Sequence, residues 1–190
     1  MVLFIMNELY KPHSVLKLWY KPKDKIQEII KNDRGHFISV LLAVSFGIVQ
    51  AGRFYLTDAD VGKVCFLYGS LLGWSGLYFF AWLLRNFGRW FGGYATQKEV
   101  RIALGWGISP WLLLFIILVL ALGLVEDSTL LANFFWIFFL GFIYGYCILL
   151  NTLSSALSIS TLKTFLCLCV TSLVSIFPLS LLIRMLASVA

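Results

Sequence analysis

The residues of this sequence that could do chemistry are few, and they lie towards the ends of long apolar runs. Gln50 and Arg53 are three positions apart, so on a helix they share one face. Arg184 and Glu126 lie near the ends of two other runs. An ionisable group at such a place is costly to bury and is often functional. We expect Arg53 or Arg184 to pair with Glu126 or with Asp58, or else both arginines to extend to lipid phosphates.

No stretch of the sequence has the spacing of a known catalytic or metal-binding motif. There is no HExxH, no nucleophile elbow and no pair of acids suited to acid–base catalysis. The four cysteines form no CxxC pair and are interpreted as small apolar packing residues: Cys65, Cys147, Cys167 and Cys169. His13 and His36 lie in a basic segment and are interpreted as surface residues. We predict no catalytic residue, no metal site and no cofactor, in a protein that is not an enzyme.

The stretch GRWFGGYATQKEVRIALGWGISPW, residues 88–111, combines glycines, aromatic residues and charges. Gly92 and Gly93 permit tight turns, but the Lys and Ser/Thr of a phosphate-binding loop are missing, so nucleotide binding is not expected. Thr96 followed by Glu99 fits a capping box, which predicts a helix that begins near residue 97.

A proline interrupts that predicted helix. Pro110 removes one backbone hydrogen bond, and Gly105 and Gly107 precede it, so a kink or short break is expected there. The break is either a packing device or part of a substrate site, as in the broken helices of transporters. Trp106, between the two glycines, and Arg89, in the preceding loop, are further candidate residues.

Composition places the chain in a membrane. The sequence is 61% hydrophobic and 13% charged, which is far from the composition of a soluble protein. A helix needs about 20 mainly apolar residues to cross a bilayer. Five stretches reach that length: about 37–56, 64–84, 102–125, 130–150 and 162–187. We predict an all-α polytopic membrane protein with five transmembrane helices over residues 37–190, preceded by a cytoplasmic segment of residues 1–36.

Basic residues predict the orientation of the spans. Twelve of the 15 Lys and Arg residues fall in the N-terminal segment, after span two or after span four, and the other three are Arg53, Lys63 and Arg184. Because Lys and Arg in short loops are retained in the cytoplasm, we expect the N-terminus inside and the C-terminus outside. The net charge of +6 is explained by anionic lipid of the inner leaflet, and nucleic acid is not expected as a partner.

The N-terminal segment contains a short amphipathic helix. In LWYKPKDKIQEII the residues Ile26, Ile29 and Ile30 fall on one face, while lysines fall elsewhere. This helix is expected to lie on the inner leaflet, as a simple anchor or as a docking surface for a cytoplasmic protein partner.

Pairs of glycines four residues apart indicate close helix packing. Gly69 and Gly73 form one such pair in span two, and Gly141 and Gly145 form another in span four. They join helices within one chain or, alternatively, two chains of a homo-oligomer.

Two segments, LWYKPKDKIQEII and the stretch of residues 88–111, resemble those of the Yip-domain family of Ypt/Rab-interacting membrane proteins. The resemblance is closer to the prokaryotic branch. It implies five spans with a cytoplasmic N-terminus, in a bacterial inner membrane. Eukaryotic members are linked to vesicle trafficking and small GTPases through a longer N-terminal region and a DLYGP-type motif, and this chain has neither.

Two classes of function remain from the sequence. The first is a non-enzymatic membrane protein that organises or shapes the bilayer, or recruits a cytoplasmic partner through its basic N-terminal helix. The second is a scramblase-like translocator of lipid or small solutes, with a cleft near Pro110 and the aromatic side chains of Trp90, Trp106 and Trp111. The spans offer few polar side chains, which disfavours an ion pump but not the movement of lipid.

Overall fold

The structure is a computed structural model that describes residues 17–31, 35–57, 62–124 and 135–187, with only the backbone described in 177–187. Its described part is helical and contains no strand, so the predicted all-α class is confirmed. The helices are α1 Pro22–Lys31, α2 Gly35–Thr57, α3 Cys65–Trp90, α4 Gln97–Gly107, α5 Ser109–Leu124, α6 Phe135–Leu157 and α7 Thr161–Ala187.

Four stretches of the described chain are long and apolar enough to cross a bilayer. They are Gly35–Thr57, Cys65–Trp90, Gln97–Gly123 and Phe135–Leu157. The fifth predicted span corresponds to α7. In α7 the side chains are described only for Thr161–Ile176, and this apolar stretch is shorter than the other four. The polytopic membrane architecture is therefore confirmed.

The membrane helices form a closed ring. Helix α3 packs on α2, α2 packs on α4 and α5, α5 packs on α6, α6 packs on α7, and α7 returns to α3. Because successive spans run in opposite directions, one end of this ring is formed by the beginnings of α2, α4 and α7 and the final turns of α3 and α6. Helix α1 lies at the same end. That end is called the α1 end below, and the opposite end is called the far end.

The glycine pairs of α3 and α6 lie against helices of the same chain. A Cβ atom added to Gly69 would lie 2.5 Å from the carbonyl oxygen of Gly47 in α2, and Gly73 faces the carbonyl oxygen of Ala43 in α2. In α6, Gly141 faces Leu114 of α5 and Gly145 faces the ring of Trp111, also in α5. The α3 pair lets the backbones of α2 and α3 approach closely, whereas the α6 pair makes room for side chains of α5.

The core of the protein lies at the α1 end, where α4 is inserted among α2, α3 and α6. Trp106 is 4% exposed, and its indole Nε1 donates a hydrogen bond of 3.3 Å to the carbonyl oxygen of Gly35. The largest fully buried apolar side chains of this core are Leu18, Ile26, Leu84, Val100, Ile102, Leu153 and Leu157. Close packing of these side chains joins α1 and α4 to the rest of the bundle.

Helix α4 begins and ends as its local sequence predicts. The amide of Glu99 donates to Thr96 Oγ1 at 3.3 Å, and the amide of Thr96 donates to Glu99 Oε2 at 2.7 Å, which confirms the capping box. The helix ends at Gly107, and α5 begins at Ser109, immediately before Pro110. The predicted break in span three is therefore present and falls at Ile108.

Candidate functional site

The helices of the ring line a cavity of about 1010 Å³ that is partly open to the outside. All six helices from α2 to α7 contribute to its walls, which are mostly aliphatic and aromatic. Ligand pockets in proteins commonly measure roughly 300–1,000 Å³, so this cavity is at the upper end of that range. An apolar cavity of this size suits a hydrocarbon chain better than water, because its walls offer water few hydrogen bonds.

One predicted site residue brings an amide into this cavity. Gln50 of α2 lines the wall, and its side chain forms no hydrogen bond within the described part of the chain. The hydroxyl of Thr171, in contrast, is used within α7, where it donates to the carbonyl oxygen of Cys167 at 2.8 Å. Gln50 therefore has both a donor and an acceptor available for a molecule inside the cavity.

The break in span three adjoins the cavity, but only some of its residues line it. Ile108 and Trp111 form part of the wall. Trp111 also stacks on Phe142 of α6, with ring centroids 5.0 Å apart, and donates from Nε1 to the carbonyl oxygen of Phe142 at 3.0 Å. Trp106 lies instead in the core at the α1 end.

The charged residues predicted at the far end are only partly described. The guanidinium carbon of Arg53 lies 5.1 Å from the ring centroid of Phe54 and 5.9 Å from that of Phe115. These distances suit cation–π contacts. Glu126, Asp58 and the side chain of Arg184 lie outside the described residues, so the predicted pairing stays a prediction.

The amphipathic helix α1 packs against its own bundle. Ile26 is fully buried in the core. Trp19, just before α1, donates from Nε1 to Ser109 Oγ at 3.2 Å, and its carbonyl oxygen accepts from the hydroxyl of Tyr144 at 2.9 Å. The hydroxyl of Ser155 donates to the carbonyl oxygen of Lys23 at 3.1 Å. The apolar face that the sequence assigned to the leaflet or to a partner is thus covered by α4 and α6.

The glycine-rich loop between α3 and α4 is shaped by close backbone contacts. Gly92 has a φ of +87°, which favours glycine. A Cβ atom on Gly93 would lie 2.9 Å from the carbonyl oxygen of Leu157, at the end of α6. Arg89 is exposed in the last turn of α3, where a positive charge complements the helix dipole.

Positive charge is concentrated at the α1 end. This end carries ten described Lys and Arg residues and three acidic ones, and Lys25 forms an ion pair of 2.8 Å with Glu28. The basic residues are Lys17, Lys21, Lys23, Lys25, Lys31, Arg85, Arg89, Lys98, Arg101 and Lys163, and the acidic residues are Asp24, Glu28 and Glu99. At the far end the described basic residues are Arg53 and Lys63. The bundle therefore has one strongly cationic end.

Comparison with known proteins identifies a family for nearly the whole of this bundle. The sequence model of the Yip1 domain matches residues 16–182, from just before α1 into the second half of α7. No curated protein and no solved structure matches the chain.

Proposed function

This chain belongs to the Yip1 domain family, and we propose that it is a non-enzymatic membrane protein that organises anionic lipid through the α1 end of its bundle. We assign it to the prokaryotic branch of the family and to the bacterial inner membrane, with the α1 end in the cytoplasm and the C-terminus outside. The observation that carries the proposal is the excess of seven positive charges among the described residues of that end.

The packing of α1 supports this role. Docking of the helix directs Lys21, Lys23 and Lys31 outwards, where all three are exposed. Each Lys or Arg near an anionic surface contributes about 1 kcal/mol to its attraction. Because the apolar face of α1 is covered by the bundle, a cytoplasmic partner would have to be acidic and would compete with lipid for the same lysines.

Electron spin resonance of spin-labelled lipids tests this proposal on the full chain in liposomes. We expect labelled phosphatidylglycerol to associate with the protein more strongly than labelled phosphatidylcholine at low salt. The triple variant Lys21→Gln/Lys23→Gln/Lys31→Gln should lose about tenfold or more of this preference, since three attractions of up to about 1 kcal/mol are removed. Lys63→Gln, at the far end, is the control and should retain it. Equal association of the two lipids with the unmodified protein would refute the proposal.

The cavity favours a second candidate function, the translocation of lipid between leaflets. Its apolar walls suit an acyl chain, and the amide of Gln50 can form hydrogen bonds with a polar group passing through. The one-residue interruption between α4 and α5 lies at Ile108, which is part of the wall.

The variant Gly76→Leu tests translocation, because Gly76 lines the cavity and a Cβ atom there would meet nothing within 4 Å. The leucine should occupy the cavity without displacing a helix. Dithionite quenching of fluorescent lipid in proteoliposomes should show exchange by the unmodified protein and about tenfold slower exchange by the variant, equivalent to about 1.4 kcal/mol in the barrier.

Ser75→Leu is the matched control for this experiment. It places the same side chain on the preceding residue of α3, Ser75, which is exposed on the surface of the bundle. It should leave the exchange rate unchanged. If the unmodified protein gives no quenching beyond that of protein-free vesicles, translocation is rejected and the organising role is unaffected.

A further inference from the structure

Three helices bring polar and aromatic side chains together near the α1 end. The guanidinium carbon of Arg101 in α4 lies 4.6 Å from the ring centroid of Tyr78 in α3. The hydroxyl of Tyr78 lies 3.5 Å from Nε2 of His36, the second residue of α2. Stacking on the tyrosine uses the face of the guanidinium group and leaves its N–H edges available as donors.

Two arginines in this region have buried donors without an acceptor. The Nε atoms of Arg85 and Arg101 are both buried, and neither forms a hydrogen bond with any described residue. A buried donor without a partner is destabilising, so its presence in a folded protein calls for an acceptor. Neither arginine forms an ion pair with the described carboxylates Asp24, Glu28 and Glu99. The missing acceptor is therefore best sought outside the described chain.

The cluster lies between the apolar middle of α3 and the charged end of that helix. Trp74, Tyr78 and Trp82 are four residues apart on α3, so they form one stripe along the helix. Trp74 is 49% exposed and Trp82 is 48% exposed, so this stripe borders lipid. Arg85 and Arg89 follow towards the α1 end. Tryptophan and tyrosine concentrate at the level of lipid headgroups, and arginines just beyond them meet lipid phosphates.

We propose that Arg101 and Arg85, with Tyr78 holding Arg101 in place, bind the phosphate of an anionic glycerophospholipid where α2, α3 and α4 meet. Tyr78 and Arg85 are seven residues apart and lie on the same side of α3, two turns from each other. Guanidinium groups bind phosphate oxygens through paired N–H donors. This site rests on the proposed function. It replaces a diffuse attraction between lipid and the α1 end with one specific binding site for a single lipid.

A lipid, rather than free phosphate, is the ligand that the surroundings favour. The exposed rings of Trp74 and Trp82 lie on either side of Tyr78 along α3 and provide a surface for acyl chains and glycerol. A free phosphate ion would gain nothing from these rings.

Native mass spectrometry of the full chain in neutral detergent, titrated with phosphatidylglycerol, tests the site. We expect the unmodified protein to retain one phosphatidylglycerol molecule at concentrations where phosphatidylcholine is not retained. Arg101→Gln should weaken this binding about 10- to 100-fold, as expected for loss of charged hydrogen bonds. Arg89→Gln is the matched comparison, because it removes the same charge from an exposed side chain at the same end. It should weaken binding clearly less than Arg101→Gln, by about fivefold at most, the effect of one diffuse charge of about 1 kcal/mol.

Two further variants separate the site from a defect in folding. Tyr78→Leu leaves all charges in place but removes the ring on which Arg101 stacks, and it should also weaken binding. Arg101→Lys keeps the charge without the planar group and should restore only part of the affinity. A melting temperature in lipid-free detergent that matches that of the unmodified protein shows that a variant is folded, and only folded variants are compared in the binding experiment.

The possible outcomes distinguish the specific site from the broader function. If Arg89→Gln weakens binding as much as Arg101→Gln, the attraction is diffuse and the site is refuted, while the organising role survives. If inorganic phosphate displaces the lipid at equal concentration, the ligand is a free phosphate and the lipid assignment is overturned. If the unmodified protein retains both lipids equally, both the site and the proposed function fail.

Discussion

Replacing Gly47 with alanine should destabilise the bundle by about 3 kcal/mol, the upper part of the range for overpacked cores. The added Cβ atom would overlap the carbonyl oxygen of Gly69 and lie 2.9 Å from its carbonyl carbon and 3.1 Å from the Cα atom of Gly73. These neighbours are backbone atoms, which cannot move aside as the end of a flexible side chain can. Helices α2 and α3 must therefore separate, and their whole contact is weakened.

Gly52→Ala is the control for this prediction, because it makes the same change on the same helix. A Cβ atom on Gly52 would lie 3.7 Å from Phe66 and 3.8 Å from Val119, which are ordinary contacts. Alanine is also the better helix former by about 0.8–1.0 kcal/mol, so this variant should be as stable as the unmodified protein or more so. Thermal unfolding of the purified variants in detergent, followed by tryptophan fluorescence, measures the difference. Equal midpoints for the two alanine variants would contradict the tight contact between α2 and α3.

The features that the sequence predicted well depend on short stretches of chain. Hydropathy over about 20 residues locates a span because the bilayer core imposes that length. The capping box depends on Thr96 and Glu99 alone, and the break at Ile108 follows from the missing N–H of Pro110 and the ring that replaces it. Each of these signals acts locally, so other helices do not alter it.

The end of α3 shows what such a signal leaves open. The apolar pattern predicted a span that ends near residue 84, but the helix continues to Trp90. Hydropathy falls where Arg85 and Arg89 begin, whereas the helical hydrogen bonds continue beyond the apolar part. The boundary of an apolar run is therefore not the boundary of its helix.

Partners in packing could not be deduced from the sequence. The spacing of Gly69 and Gly73 is equally suited to a neighbouring helix and to a second chain, and only the fold places α2 against them. The cavity was even harder to deduce from the sequence, since its walls come from six helices that are distant from one another along the chain. Gln50 was identified because it is polar in an apolar run, but Ser109 and Tyr144, which hold Trp19, carry no such signal.

Helix α1 provides the second large effect, through Ile26→Asp. Ile26 is fully buried, so an aspartate there would put a charge among apolar side chains. If the free energy of docking α1 falls by about 3 kcal/mol, the equilibrium shifts about 100-fold towards undocked α1. Trypsin cleaves after lysine, and α1 contains Lys23, Lys25 and Lys31. Cleavage in α1 should therefore become about 100-fold faster, because its rate follows the population of the open form.

Gln27→Asp is the control, because it places the same charge one residue away, on the exposed side of α1. Its cleavage should match that of the unmodified protein in detergent. A helix held only by the leaflet would be equally open in detergent with either aspartate, so equal cleavage of the two variants would contradict docking on α4 and α6. The variants Ile26→Asp and Gln27→Asp also test whether docking of α1 matters for lipid binding. If docking holds the lysines of α1 at the lipid surface, Ile26→Asp should reduce the preference for phosphatidylglycerol. Gln27→Asp should reduce this preference only by the effect of its one negative charge.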